Sequence, residues 1–93
     1  MKMSEWNFEN SKFWYQMDPE QIKFDGEFNG IRCVFVVSVS DINDHFNSYD
    51  SPENAEENFD ENRSFFYDLA IEVAEGDEPD FDADEPCFYF IDL

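Results

Sequence analysis

Positive charge is nearly missing from this sequence: five Lys and Arg stand against 24 Asp and Glu, for a net charge of −19 over 93 residues. A chain so poor in bases has little with which to neutralise phosphates, which speaks against direct binding of nucleic acid. Catalytic equipment is equally thin. There is one histidine, His45, no glycine-rich phosphate loop and no nucleophile–base pair. Carboxylates abound, but a general acid needs a raised pKa in an apolar cleft, and these read as open surface. The chain is therefore expected not to be an enzyme.

Soft metal ligands are scarce too. Cys33, Cys87 and His45 are widely spaced and form no paired zinc motif, so neither metal nor cofactor is expected. The two cysteines fall on different predicted strands. Buried reduced thiols are the expectation, with a disulfide open only to neighbouring strands. Long hydrophobic runs are lacking. The longest, residues 33–37, is far too short for a bilayer, and MKMSEWNFEN offers no apolar stretch for a signal peptide. These absences point to a protein of the reducing cytoplasm with no membrane partner.

Aromatic residues, by contrast, are plentiful: twelve Phe, four Tyr and two Trp. With so little Ala, Leu and Val, the interior must be built from rings. An apolar fraction of 42% sets the chain apart from disordered sequences, and its length suits one domain, 1–93.

Short aromatic and β-branched runs place strands at 13–16 (FWYQ) and 21–25 (QIKFD), with a turn at Asp18-Pro19. In GIRCVFVVS, Ile31, Cys33, Phe35 and Val37 alternate onto one face. Gly26 and Asn29-Gly30 mark the hairpin turn before it. WNF at 6–8 adds an edge strand, and CFYFI at 87–91 a last one. Ser40 caps a short helix over about 41–46. Ser51, Pro52 and Gly76 bound a long one over about 52–75. The expected fold is α+β: a small antiparallel sheet of three to five strands packed against one long helix and one short helix.

The order Trp14, Ile22-Lys23-Phe24, Gly30, Phe35-Val36-Val37-Ser38, Ile42, Phe46, Asp50-Ser51-Pro52-Glu53, Phe59 and Arg63 resembles the small bacterial proteins catalogued as domain of unknown function 1488. The offsets from Phe24 to Gly30, Gly30 to Phe46 and Phe46 to Phe59-x-x-x-Arg63 look like that family's spacing, over roughly 14–74. The resemblance implies a curled antiparallel sheet against one long helix, and no assigned chemistry. This sequence departs from it at Phe35, where the family often carries cysteine, and in the uniform acidity of its helix.

That acidity is concentrated. Residues 1–40 hold six acids and four bases, whereas 41–93 hold eighteen acids and Arg63 alone. Along a helix over 52–75, Glu53, Glu57, Glu61, Asp68, Glu72 and Glu75 fall within one stripe about 100° wide. Ala55, Phe59, Phe66, Leu69 and Val73 lie opposite, and Tyr67 and Ile71 flank the stripe. Like charges stacked at i,i+4 and i,i+3 cost roughly 1–2 kcal/mol at low salt, whereas a helix needing only solubility would interleave signs. Downstream, Asp77, Glu78, Asp80, Asp82, Asp84 and Glu85 extend the array, with Asp80, Asp82 and Asp84 spaced roughly 6.6 Å apart if extended. An EF-hand loop fails on Glu85, where glycine is needed, and on Ile91, where glutamate is needed.

The functional expectation is an acidic mimic of nucleic acid. It would occupy the cationic groove of a DNA- or RNA-binding protein, as an anti-CRISPR or anti-restriction inhibitor would. Two readings stand beside it: an adaptor domain binding through the aromatic patch Trp6, Phe8, Phe13, Trp14 and Tyr15, and plain salt adaptation.

Overall fold

Two eight-residue runs of alternating side chains build the centre of the molecule. The computed structural model describes residues 6–17, 19–28, 30–76 and 88–93. Its elements are β1 (Trp6–Asn7), β2 (Phe13–Gln16), β3 (Gln21–Phe28), β4 (Ile31–Ser38), α1 (Val39–His45), α2 (Pro52–Glu61), α3 (Arg63–Gly76) and β5 (Phe88–Ile91). β3 and β4 pair antiparallel from Gln21↔Ser38 to Phe28↔Ile31. Gly30, at φ +83°, supplies the left-handed residue of the connection. β1 and β2 both pair with β3, and β5 lies beyond β4. The fold is the expected α+β arrangement, a five-stranded sheet against helices.

One strand direction corrects the sequence reading. β5 runs parallel to β4, with Phe35 opposite Tyr89. The three helices lie between these strands in sequence and carry the chain back across one face, as a parallel connection requires.

That covered face holds the core. Ile22, Phe24, Phe35, Val37, Ile42, Ala55, Phe59, Phe66 and Ala70 are all buried in one cluster. Its rings touch in sequence: Phe35 and Phe24 at 5.3 Å, Phe24 and Phe59 at 4.9 Å, Phe59 and Phe66 at 4.7 Å between centroids. The interior is aromatic, as the composition demands. On the other face Val34, Val36 and Phe88 form a smaller cluster with Trp14, which explains why residues 33–37 read as an unbroken apolar run.

The expected long helix is broken at Asn62, which adopts φ −130°, ψ 35°. Its backbone N–H donates to Phe59 O at 3.1 Å and its side-chain amide to Asn58 O at 2.8 Å. Its carbonyl then accepts Phe66 N–H to start α3. An Asn competing for backbone groups favours such a stop. Packing supplies the other reason. Seven residues of straight helix advance about 10 Å, yet Phe59 and Phe66 stack at 4.7 Å.

Two smaller boundaries also move. α1 begins at Val39, whose side chain is buried, so Ser38 is the cap and accepts Asp41 N–H, whereas Ser40 lies inside the helix. Gly26 is not a turn residue but sits within β3, opposite Cys33. The Phe8 ring fills the space where a Cβ would stand. Gly26→Ala is expected to destabilise the fold by about 1–3 kcal/mol in urea unfolding, and Phe8→Leu in the same chain should recover part of that loss.

Cys33 is buried and disulfide-bonded, which overturns the expectation of reduced thiols. Its neighbour Val34 pairs with Phe88, so β4 and β5 are adjacent strands, the one circumstance in which a bond was open. Cys87 lies outside the described residues. Alkylation of the denatured chain followed by peptide mapping should find Cys33 unmodified before reduction and modified after it. Labelling before reduction would contradict the bond.

Candidate functional site

The carboxylates of α2 and α3 are placed by what the same helices bury. α2 buries Ala55 and Phe59, and α3 buries Phe66 and Ala70. A side chain two residues further on points about 200° away. Glu57 and Glu61 on α2, and Asp68 and Glu72 on α3, stand at that offset. All are exposed, as are Glu53 and Glu75. Because both helices cover one core, both trios look away from the sheet. The break at Asn62 divides the expected stripe into two, Glu53-Glu57-Glu61 and Asp68-Glu72-Glu75. The remaining predicted site residues, Asp77, Glu78, Asp80, Asp82, Asp84 and Glu85, lie outside the described residues.

Bases are scarce on these helices. Arg63 lies between the trios, but its guanidinium is bonded to Asp60 at 2.8 Å and rests 4.9 Å over the Phe13 ring. The Asp60 hydrogen bond raises its pKa further. It therefore answers a carboxylate outside both trios. Lys23 and Arg32 are on strands, and their pairing places them on the opposite face of the sheet. Lys23 registers with Trp14 and Val36, and Arg32 with Glu27. There Arg32 bonds Asp25 at 3.1 Å and lies 5.9 Å over Trp14, and Lys23 Nζ lies 5.6 Å over Phe88. Arg63 is thus the one Lys or Arg on α2 and α3, its charge is answered by Asp60, and the sheet separates these helices from Lys23 and Arg32.

The end of α1 holds α2 in position through a polar network that sequence reading missed. Asn43, only 1% exposed, donates through Nδ2 to Asp50 Oδ1 at 3.2 Å and to Ser51 O at 2.9 Å. Its Oδ1 accepts from Asn58 Nδ2, and Ser40 Oγ donates to Asp50 Oδ2. Every buried polar group of Asn43 is therefore met, which locks the loop before α2 to the helix it precedes. An Asn beside Ile42 in a short helix carries no mark of this, because an exposed Asn would read the same. His45, by contrast, is exposed in the last turn of α1.

The aromatic patch of the adaptor reading does not stand together. Trp6, Phe8, Phe13 and Tyr15 pack against the core from the helix side, with Phe8 stacked on Tyr67 at 4.4 Å. Trp14 alone joins the other face. Tyr67, expected to flank the acidic stripe, is likewise held by Phe8 and the core.

Like charges stacked on each helix should be measurable as lost stability. Glu57 has Glu53 and Glu61 as i,i+4 neighbours, so Glu57→Gln is expected to stabilise the fold by about 0.4–1 kcal/mol at low ionic strength. The gain should fade in molar salt, and a gain indifferent to salt would mean that repulsion is not its source. No family model, curated protein or solved structure matches the chain.

Proposed function

We propose that the protein is a non-enzymatic decoy for nucleic acid: its outward carboxylates occupy the cationic groove of a DNA- or RNA-binding protein. The observation that carries this reading is the pair of exposed trios on α2 and α3, helices whose one Lys or Arg, Arg63, is paired with Asp60. Carboxylates one i,i+4 step apart are separated by about 6 Å of helix axis. That is close to two phosphate steps of about 3.4 Å along one DNA strand. A channel that binds phosphates by releasing counterions gains the same entropy from these carboxylates. Binding would exclude the nucleic acid by competition, and no cofactor is needed. No helix among the described residues is long and apolar enough to cross a membrane, so nothing in them ties this surface to a bilayer-spanning role.

A CRISPR complex or a restriction enzyme is the kind of target such a decoy fits, by analogy of charge and size. These targets work in the cytoplasm. Cys33 is 2% exposed, so its own sulfur is shielded from a reductant there.

The test compares two charge reversals of equal size in DNA-competition assays against a panel of such effectors. Glu57→Lys, Asp68→Lys and Glu72→Lys together alter the ridge. Glu9→Lys, Glu27→Lys and Asp44→Lys alter exposed positions elsewhere. With folding confirmed by circular dichroism, the ridge variant should lose at least 100-fold in inhibition and the control less than tenfold. Inhibition by the native chain should fall steeply between 50 and 200 mM salt, on the order of 10³-fold for six neutralised charges. Equal losses in the two variants, or inhibition indifferent to salt, would reject the decoy.

A further inference from the structure

The sheet edge formed by β1 and β2 is broken between them. β1 meets β3 at Glu27 and Phe28, and β2 meets it at residues 21–24. Between these stretches the chain turns, with Ser11 N–H donating to Phe8 O at 3.0 Å. At the break lies a small cavity of about 50 Å³, walled by Asn7, Asn10, Ser11, Asp25, Glu27 and Arg32. Asn7, Glu27 and Arg32 stand side by side across β1, β3 and β4. Asp25 is fully used: its Oδ1 accepts Lys12 N–H at 2.8 Å and its Oδ2 accepts Arg32 Nε–H at 3.1 Å. That bond pins the guanidinium, which also lies 5.9 Å over Trp14. Its two terminal amino groups are left over. Among the described residues neither they, the Glu27 carboxylate nor the Asn10 side-chain amide has a hydrogen-bond partner. Ser11 Oγ is buried and has none either, a costly state for a hydroxyl.

Charge and size select the occupant. A pinned guanidinium with both prongs free, beside a hydroxyl and an amide, suits a carboxylate. A plain anion, however, has to enter a chain of net charge −19 and sit beside Glu27. A plain cation has to sit beside Arg32. A ligand of both signs escapes both penalties. At about 10–15 Å³ for each water-sized atom, the cavity has room for about three to five. The carboxylate, α-carbon and amine shared by all α-amino acids are of that size. We propose that this cavity binds the zwitterionic head of a small free α-amino acid, with Arg32 and Ser11 on its carboxylate and Glu27 on its ammonium. This goes beyond the decoy role and does not depend on it, because no residue of either acidic trio lines the cavity.

Glycine is the probe, titrated to 50 mM into the full chain at 150 mM salt and followed by amide NMR shifts. Saturable shifts are expected at residues 7–11, 25–27 and 32. Acetate and methylammonium, each carrying half of the head, should bind at least tenfold more weakly. Arg32→Lys keeps the charge but loses the fork, and should weaken glycine at least tenfold. Glu27→Gln should weaken glycine at least fivefold yet leave acetate bound as well or better, a contrast that disturbed packing would not produce. Ser11→Ala should weaken glycine at least threefold without lowering the urea midpoint, since no hydrogen bond within the chain is lost. The ridge variant Glu57→Lys, Asp68→Lys, Glu72→Lys should bind glycine within twofold of the native chain. Acetate binding as tightly as glycine would mean an adventitious anion only and overturn the proposal. So would shifts that stay linear to 50 mM or centre on α2 and α3. Glycine that fails to bind while salt-sensitive inhibition persists would reject this cavity and leave the decoy standing, and the opposite outcome would do the reverse.

Discussion

Stacking among Phe35, Phe24, Phe59 and Phe66 is the contact on which the rest depends. All four rings are fully buried, and together they tie β4, β3, α2 and α3 into one body. Burying each is worth roughly 1.5–3 kcal/mol, with a further 0.5–1.5 for a well-placed ring pair. The like-charge pairs on the outer helix faces each cost roughly 0.2–0.5 kcal/mol. The aromatic term wins by a wide margin, so a one-signed outer layer is tolerated without threat to the fold. The aromatic interior and the acidic exterior, which look unrelated in composition, are linked: the first makes the second possible.

Much of this was legible in local pattern. The strand FWYQ coincides with its predicted bounds, and Ser51 with Pro52 caps α2 as read. Both signals are set by near neighbours along the chain. What escaped was set by contacts across the chain. The direction of β5 depends on how three helices return over the sheet. Gly26 reads as punctuation until the Phe8 ring is seen above it. Asn62 reads as an ordinary helix residue until Phe59 and Phe66 meet across it. Asn43 shows its value only through Asp50, Ser51 and Asn58. The outward placement of Glu57 and Asp68 was legible because periodicity alone fixes a side opposite the core. Their membership of one continuous stripe was not, because it assumed an unbroken axis.

Charge is sorted across the thickness of the molecule. Lys23 and Arg32 lie on the outer sheet face with ring partners, while the exposed trios lie on the far side of the helices. A cationic surface approaching such a body is turned toward the helical side before contact, because the field there is not cancelled locally.

The break at Asn62 bears on the same charges. A straight helix over 52–75 would place six like charges along one line, each opposing its neighbours one turn away. Ending α2 at Glu61 and starting α3 at Arg63 interrupts that line between Glu61 and Asp68, while Phe59 and Phe66 stack across the junction at 4.7 Å. The ring contact that closes the core therefore also divides the acidic array into the two trios on which the proposed competition rests.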